Sequence, residues 1–260
     1  MLKEIEDKIK FRQQFTEYVN IVRSICNKEK LSELSKLRNI DLEEIEKCGI
    51  FYVEDNATLI IPQYFDKLDD FGVISQTNKR PIYENRWVIP IKDENGLVQS
   101  LVGYSNLTDE RYVYATTKYY MRADTLWGLE NIELAYEMGY AILVEGITDA
   151  IHIRSIGYPN TFASCGTRES DINMRQLNRC EHGIVRIPDR DKAGYKTKKH
   201  WVTNRYVTLN TPIQYKDSDE TLKNNDNLDW FKGYLDSCIG WLKQDKHRGK
   251  VCPTIEATML

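Results

Sequence analysis

Three acidic pairs mark the second half of the chain: Glu145 with Asp149, Asp189 with Asp191, and Asp217 with Asp219. In extended backbone, residues i and i+2 point the same way, so each Asp-x-Asp pair shares a face. Two carboxylates about 4 Å apart repel by about 4 kcal/mol at an effective dielectric of 20. Three such pairs brought together without compensation would raise their own pKa values or open the fold. A divalent cation resolves the conflict, and all-carboxylate oxygen ligands suit Mg²⁺ or Mn²⁺ rather than zinc or copper. Two such ions roughly 3.5–4 Å apart would stabilise the attacking and leaving oxygens of a phosphoryl transfer. Taken singly the pairs are ordinary. Asp149 or Asp219 alone reads as a helix cap, and Asp191-Lys192-Ala193-Gly194 alone as a turn. Three in register on one frame point to a metal site.

The elements around them supply that frame. From Gly139 onward strand and helix patterns alternate. Strands are expected at 141–144, 160–164 and 183–187, with a fourth at 206–209 or 213–215. Helices are expected from Asp149 to Ile156, at 170–179 and at 193–204. Short apolar strands alternating with helices argue a parallel sheet covered on both faces. Ligands of such sheets collect at the carboxyl ends of the strands, where Glu145 and Asp189 fall. Upstream, helical spacing of apolar residues runs from Glu4 to Lys36, and Asp41 opens a second short helix ending near Gly49. Runs at 50–53, 58–61, 86–89 and 98–103 read as strands of an antiparallel region, with turns at Asp55-Asn56 and Glu94-Asn95-Gly96. The tail carries Trp230, Tyr234, Ile239, Trp241 and Leu242 at near-helical spacing.

The fold class expected is thus α/β and α+β, in four segments. Residues 1–50 are an N-terminal helical segment, 51–130 an antiparallel and basic subdomain, 131–222 the parallel-sheet catalytic domain and 223–260 a helical tail. Composition agrees with a globular enzyme: 41% hydrophobic residues within 260 exclude a disordered chain. A net charge of −3 argues against an indiscriminate nucleic-acid coat, but not against a local basic groove. Residues 171–206 carry nine Lys+Arg against four acids, either a phosphate-facing surface or a solvated helix face. No apolar run approaches a membrane span, and the start reads as no signal peptide. The six cysteines, with no CxxC spacing, read as reduced cytoplasmic thiols rather than disulfides or zinc ligands.

The stretches 144–151, 160–167 (ending Gly166-Thr167) and 188–194 together resemble the Toprim domain, in which EGxxD, GT and DxD-x-AG stretches assemble a magnesium site. Among Toprim proteins the chain is most similar to bacterial and phage DnaG-type primases. Their DPD motif is matched by Asp217-Ser218-Asp219, with Ser replacing Pro. Upstream, Arg86 to Gly96 resembles RxxFPIxDxxG, Arg111 to Tyr114 resembles KYLN, and Tyr120-Met121-Arg122 with Leu126 to Leu129 resembles FxK…LYGL. Lys36 to Ile40 resembles KRGL. The resemblance spans roughly residues 33 to 222.

It implies template-directed synthesis of RNA primers on single-stranded DNA from ribonucleoside triphosphates, with Mg²⁺ or Mn²⁺. Glu145, Asp189 and Asp191 would be catalytic and hold the metal, joined by Asp149, Asp217 and Asp219. Glu145 would also accept the proton of the attacking 3′-hydroxyl. Arg38, Arg86, Arg111, Lys118 and Arg122 would hold template, primer or nucleotide phosphates. Where the family usually has Arg after its glycines, Gly103 is followed by Tyr104; the contact is then lost, or replaced by stacking on a base. The implied partners are template and primer, a replicative helicase, and a separate zinc-binding or other initiation factor. The implied setting is the cytoplasm, that of a bacterial host if the chain is a compact phage protein. A Toprim nuclease or RNA-maturation hydrolase shares the acidic site and is the rival expectation; a degraded, binding-only module is a weaker one.

Overall fold

The computed structural model describes residues 2–75, 77–120, 122, 125–165, 171–190, 205–212, 214–244 and 250–251. The chain forms two compact units, Met1–Leu37 with Leu42–Tyr120, and Arg38–Asp41 with Met121–Leu260.

The first unit opens with three helices, α1 (Leu2–Ile25), α2 (Glu29–Arg38, its last residue in the second unit) and α3 (Leu42–Lys47). Phe11, Phe15, Tyr18, Val19 and Val22 make the buried stripe of α1, the i, i+4, i+7 spacing expected of one face. The continuous pattern to Lys36 is nevertheless broken after Ile25. Asn27 Oδ1 accepts the Glu29 N–H at 2.9 Å, which starts a new helix. Four antiparallel strands follow in the order β1 (Phe51–Val53), β2 (Arg86–Lys92), β3 (Val98–Tyr104) and β4 (Tyr112–Tyr114). The strand expected at 58–61 is instead a 3₁₀ turn, Asn56–Leu59. Its aliphatic run loses to the residue before it: the Asp55 carboxylate accepts the Ala57 N–H at 2.8 Å, and the Asp55 backbone carbonyl accepts the Thr58 hydroxyl at 2.5 Å. Asp93 builds the β2–β3 turn, accepting from Asn95 N and Leu97 N while Arg12 Nη1 holds its other oxygen at 2.6 Å.

Tyr104 does not face outward to meet a base. It is 3% exposed, and its ring lies 5.9 Å from Trp87 and 5.2 Å from Tyr112. Trp87 pairs with Tyr104 and with Tyr52, and Tyr104 pairs with Tyr112, so one cross-strand row of rings crosses the whole sheet.

The second unit is built on β5 (Tyr140–Val144), β6 (Thr161–Ala163), β7 (Gly183–Ile187), β8 (Tyr206–Thr208) and a short β9 (Lys250–Val251). Their order is β6-β5-β7-β8-β9, all parallel. The described helices are α4 (Ile132–Met138), α5 (Ile147–Ser155), α6 (Asp171–Leu177), α7 (Ser218–Leu222) and α8 (Leu228–Leu242). Ala141, Leu143, Phe162 and Ile184 share a core with Ile132 and Ala135 of α4 and Met174 and Leu177 of α6. Ile142 and Val185, alternating with these along their strands, are equally buried, so both faces of the sheet are covered. The tail expected to be helical is α8, which buries Phe231, Tyr234, Leu235, Cys238 and Leu242 against β7 and β8. The helix expected at 193–204 and the turn at Gly166-Thr167 lie outside the described residues. Every described cysteine is free of disulfide bonds, and no described helix is long and apolar enough to cross a membrane.

Arg154 fastens the segment Leu126–Gly128 to the sheet edge. Its guanidinium lies 4.4 Å over the Trp127 ring and donates to Thr161 O, Gly128 O and Glu130 Oε1 at 2.9–3.1 Å. Trp127 and Ala163 exchange backbone hydrogen bonds beside it. Gly128 (φ +99°) is the residue that lets this happen, since a Cβ there would strike Arg154 Nη2. Arg154→Ala strands two buried carbonyls and is expected to lower unfolding stability by roughly 3 kcal/mol. A shift in the urea midpoint at unchanged m-value measures it.

Candidate active site

The register of the parallel sheet decides which side chains meet. Val144 pairs with Ala163 on one side and Ile187 on the other, so three strands end level. Glu145 follows β5 directly, and Asp189 follows β7 after Pro188. Both are half-buried, and the Asp189 N–H reaches Glu145 Oε1 at 3.3 Å. Asp191 lies outside the described residues.

Asp149 stands in the first turn of α5 but caps nothing. Its Oδ1 instead accepts the Ser218 hydroxyl and the Asp219 N–H, each at 2.8 Å. Its Oδ2 lies over Gly146, where a Cβ would collide with it. Glycine at 146 therefore allows the strand-to-helix turn to close over this carboxylate. The capping role falls to Asp217, whose Oδ1 accepts the Glu220 N–H at 2.8 Å to start α7. Glu220 reaches back to the Lys216 N–H at 2.6 Å, as in a capping box. Arg190 N donates to Lys216 O at 2.7 Å, and Lys216 Nζ lies 3.4 Å from Asp189 Oδ2, which joins the two acidic loops.

Asp219 points inward and collects positive partners. Arg38 Nη1 lies 2.5 Å and Lys223 Nζ 3.1 Å from its Oδ2, and His152 Nδ1 lies 3.2 Å from its Oδ1. Sequence reasoning missed His152, Ser218, Lys216 and Lys223. One signal for His152 was available: it follows Asp149 by three residues, on the same helix face.

Electrostatics separates the buried acids. Burial, then the charges of Asp217, Asp219 and Asp189, push the Asp149 carboxyl well above the usual carboxylate range. Burial and the Asp219 charge also raise Asp217, against the Glu220 N–H and Lys216. For Asp219, burial acts upward but is outweighed by the His152 hydrogen bond and the charges of Arg38 and Lys223, which hold it down to about 2. Burial pushes the nearby Cys165 thiol up to about 12, so it is not a thiolate nucleophile at neutral pH. Among the described residues no three acidic, histidine or cysteine side chains are gathered as a metal-ligating cluster. The side-chain donors that follow β5 and β7, Glu145 and Asp189, are carboxylate oxygens, and Asp149 is pushed up by burial first and by neighbouring carboxylates after it. Such donors suit a hard divalent cation, which Glu145 and Asp189 could hold with Asp149 and Asp217 beside them.

The basic residues singled out by sequence belong to both units, Arg38 and Arg122 to the second. Arg38 is buried on Asp219, and Arg122, exposed, donates Nε to Cys165 O at 2.7 Å. The remaining three belong to the first unit. Arg86 is 8% exposed and donates to Glu110 O at 2.9 Å and Thr108 Oγ1 at 3.3 Å, within the β3–β4 loop. Arg111 and Lys118 are exposed, Lys118 lying 5.4 Å from the Tyr119 ring centroid.

Because its folded pKa is raised, Asp149 stabilises the fold only while protonated. That contribution is present below the unfolded pKa of about 3.8 and is lost as pH rises through the folded value. Asp149→Asn is therefore expected to stabilise the metal-free protein at pH 7 by roughly 1 kcal/mol, with the gain vanishing below about pH 4. Thermal unfolding of both proteins across that pH range checks it.

Residues 142–222 match the Toprim-like family. The DNA primase of Thermotoga maritima is 23% identical over 273 residues, covering 88% of this chain and 48% of that protein, so the chain spans about half the length of this relative. The crystal structure of the Aquifex aeolicus primase, comprising zinc-binding and RNA polymerase domains, superposes with a TM-score of 0.73 at 24% identity, over 91% of this chain and 65% of that one. The DnaG primase catalytic domain bound to single-stranded DNA gives 0.71 at 17% identity, over 88% and 80%. Residues 142–222 thus match the Toprim-like family, in a chain that is similar in sequence to bacterial DNA primases and has the fold of the DnaG catalytic core.

Proposed function

We propose that the chain is the catalytic core of a DNA primase, which joins ribonucleotides into short RNA primers on single-stranded DNA. The observation that carries the reading is the acidic edge of the parallel sheet, Glu145 beside Asp189 on level strand ends, in a chain similar to DNA primases over 88% of its length. A DnaG catalytic domain of the same fold binds single-stranded DNA, which supports a DNA template here.

In this reading Glu145, Asp189 and Asp191 would hold a divalent cation, Mg²⁺ or Mn²⁺, with Asp149 and Asp217 beside them. Such an ion, when bound, neutralises triphosphate charge and stabilises the attacking and leaving oxygens of the transfer. The primer 3′-oxygen attacks the α-phosphorus of the incoming nucleotide, the bond to the β-phosphate bridging oxygen breaks, and pyrophosphate leaves. Glu145 takes the 3′-hydroxyl proton. The Lys216 ammonium, 3.4 Å from Asp189, adds a positive group near the departing phosphates. No protein nucleophile takes part, so the chain's contribution is positioning and charge complementarity. The exposed Arg111, Lys118 and Arg122 would contact nucleic-acid phosphates. A replicative helicase and a separate zinc-binding initiation factor are the proposed partners, and the cytoplasm is the proposed setting.

Incubation with single-stranded DNA, labelled ribonucleotides and Mg²⁺ or Mn²⁺ is expected to give short RNA ladders. Glu145→Gln and Asp189→Asn are each expected to reduce them at least about 100-fold while leaving circular dichroism and unfolding temperature within a few degrees of the parent. Metal-dependent cleavage of the nucleic acid without incorporation would establish the hydrolase instead.

A further inference from the structure

The acidic residues of the site are not held alike. Among the described residues Asp149 receives neutral donors, Ser218 Oγ and Asp219 N, both on Oδ1. Asp219 is 3% exposed and meets positively charged or ring N–H partners on both oxygens. Those partners come from three elements: Arg38 from the end of α2, His152 from α5 and Lys223 from the end of α7. A divalent ion placed on Asp219 would have to displace or approach these groups, and each cation beside the carboxylate repels it.

The arrangement has a second end. Asp149 and His152, three residues apart on α5, both reach the residue Asp219, one through its backbone N–H and the other through its side chain. The first turn of α7 is therefore pinned to α5 at two points, and Arg38 and Lys223 hold the pinned carboxylate on its other oxygen. With the turn fixed, Ser218 and the Asp219 N–H hold Asp149 Oδ1, while Asp149 Oδ2 stays over Gly146, next to Glu145.

We propose that Asp219 is a positioning residue and not a metal ligand: Arg38, His152 and Lys223 clamp it so that its N–H and the Ser218 hydroxyl fix Asp149 over Gly146, in the turn that follows Glu145. The assignment rests on the metal-binding reading above. It removes Asp219 from the six carboxylates expected to converge on the ion and gives Arg38 a place inside the site rather than on a phosphate.

Mn²⁺ binding to the full chain, followed by the electron paramagnetic resonance of the free ion, tests this apart from catalysis. Asp219→Asn breaks the same ion pairs as Arg38→Gln, and is expected to loosen Mn²⁺ binding no more than Arg38→Gln does, by about tenfold, with no further loss when the two are combined, whereas Asp189→Asn loses at least about 100-fold. A loss in Asp219→Asn as large as in Asp189→Asn, or one that adds to that of Arg38→Gln, makes it a ligand and overturns the proposal. Arg38→Gln supplies the sign. By charge alone, removing a cation near a cation site tightens Mn²⁺ binding; a clamp that positions Asp149 loosens it, by about tenfold, with recovery in Arg38→Lys. Tighter or unchanged binding overturns the clamp. Lys223→Gln, at the exposed end of the clamp, carries the same expected sign where Arg38→Gln does not fold. A parent chain that binds no Mn²⁺ overturns the metal site and this assignment together; Mn²⁺ bound by the parent but lost in Asp219→Asn overturns this assignment alone.

Discussion

The arrangement of the second unit depends on how it buries like charges side by side. Asp149 and Asp219 are 6% and 3% exposed, and the N–H of one bonds the carboxylate of the other. Two charges about 4 Å apart in such surroundings repel by about 4 kcal/mol, comparable to a large part of a domain's net stability. The fold meets this by bringing fixed cations to one of the two. Arg38 comes from 181 residues upstream of Asp219, and residues 38–41 accordingly sit with the second unit although the chain on both sides belongs to the first. Asn39 follows the same path, its amide donating to Leu222 O and Asn225 Oδ1.

Everything else at the site is set by strand register. Because β5, β6 and β7 end level, the residue after β5 and the loop after β7 arrive together without any special loop conformation. The sheet can keep that register because both faces are covered and its β6 edge is closed by the Trp127 segment under Arg154. Sliding β7 by one residue would exchange Ile184 and Val185 between the two covered faces, and neither core would keep the side-chain shapes it is packed around. Packing far from the acids thus fixes the separation of Glu145 and Asp189 more firmly than any contact between them.

What the sequence made legible was local. The β-α alternation after Gly139, the turn at Glu94-Asn95-Gly96 and the placement of Glu145 and Asp189 at strand ends all follow from patterns a few residues long. What it hid was either a competition or a long-range pairing. The stretch 58–61 has strand residues, but Asp55 organises its backbone first. In Asp217-Ser218-Asp219 the spacing suggests two carboxylates on one face, as in a strand. The pair instead straddles a helix start, so Asp217 caps and Asp219 turns inward. Arg38 is one surface-type residue among 36 Lys+Arg, and nothing near it in sequence predicts burial against Asp219. Tyr104 is similar: its surroundings are set by rings on β2 and β4, not by its neighbours along the chain.

Charge balance gives these features a common logic. A net charge of −3 describes the whole chain, yet Asp149 is pushed upward locally, by burial first and then by the charges of Asp217, Asp219 and Asp189. Two kinds of compensation are open to such a cluster: cations the protein carries in fixed positions, or cations it takes from solution. Were every acid clamped as Asp219 is, the site would be stable and inert, since no negative potential would remain to draw a divalent ion. Were none clamped, the excess would strain the turn that orients Asp149. Asp219 meets its burial with cations that the chain itself carries, Arg38 and Lys223, whereas burial and the charges of Asp217, Asp219 and Asp189 leave Asp149 pushed upward, so the two buried neighbours are compensated unequally.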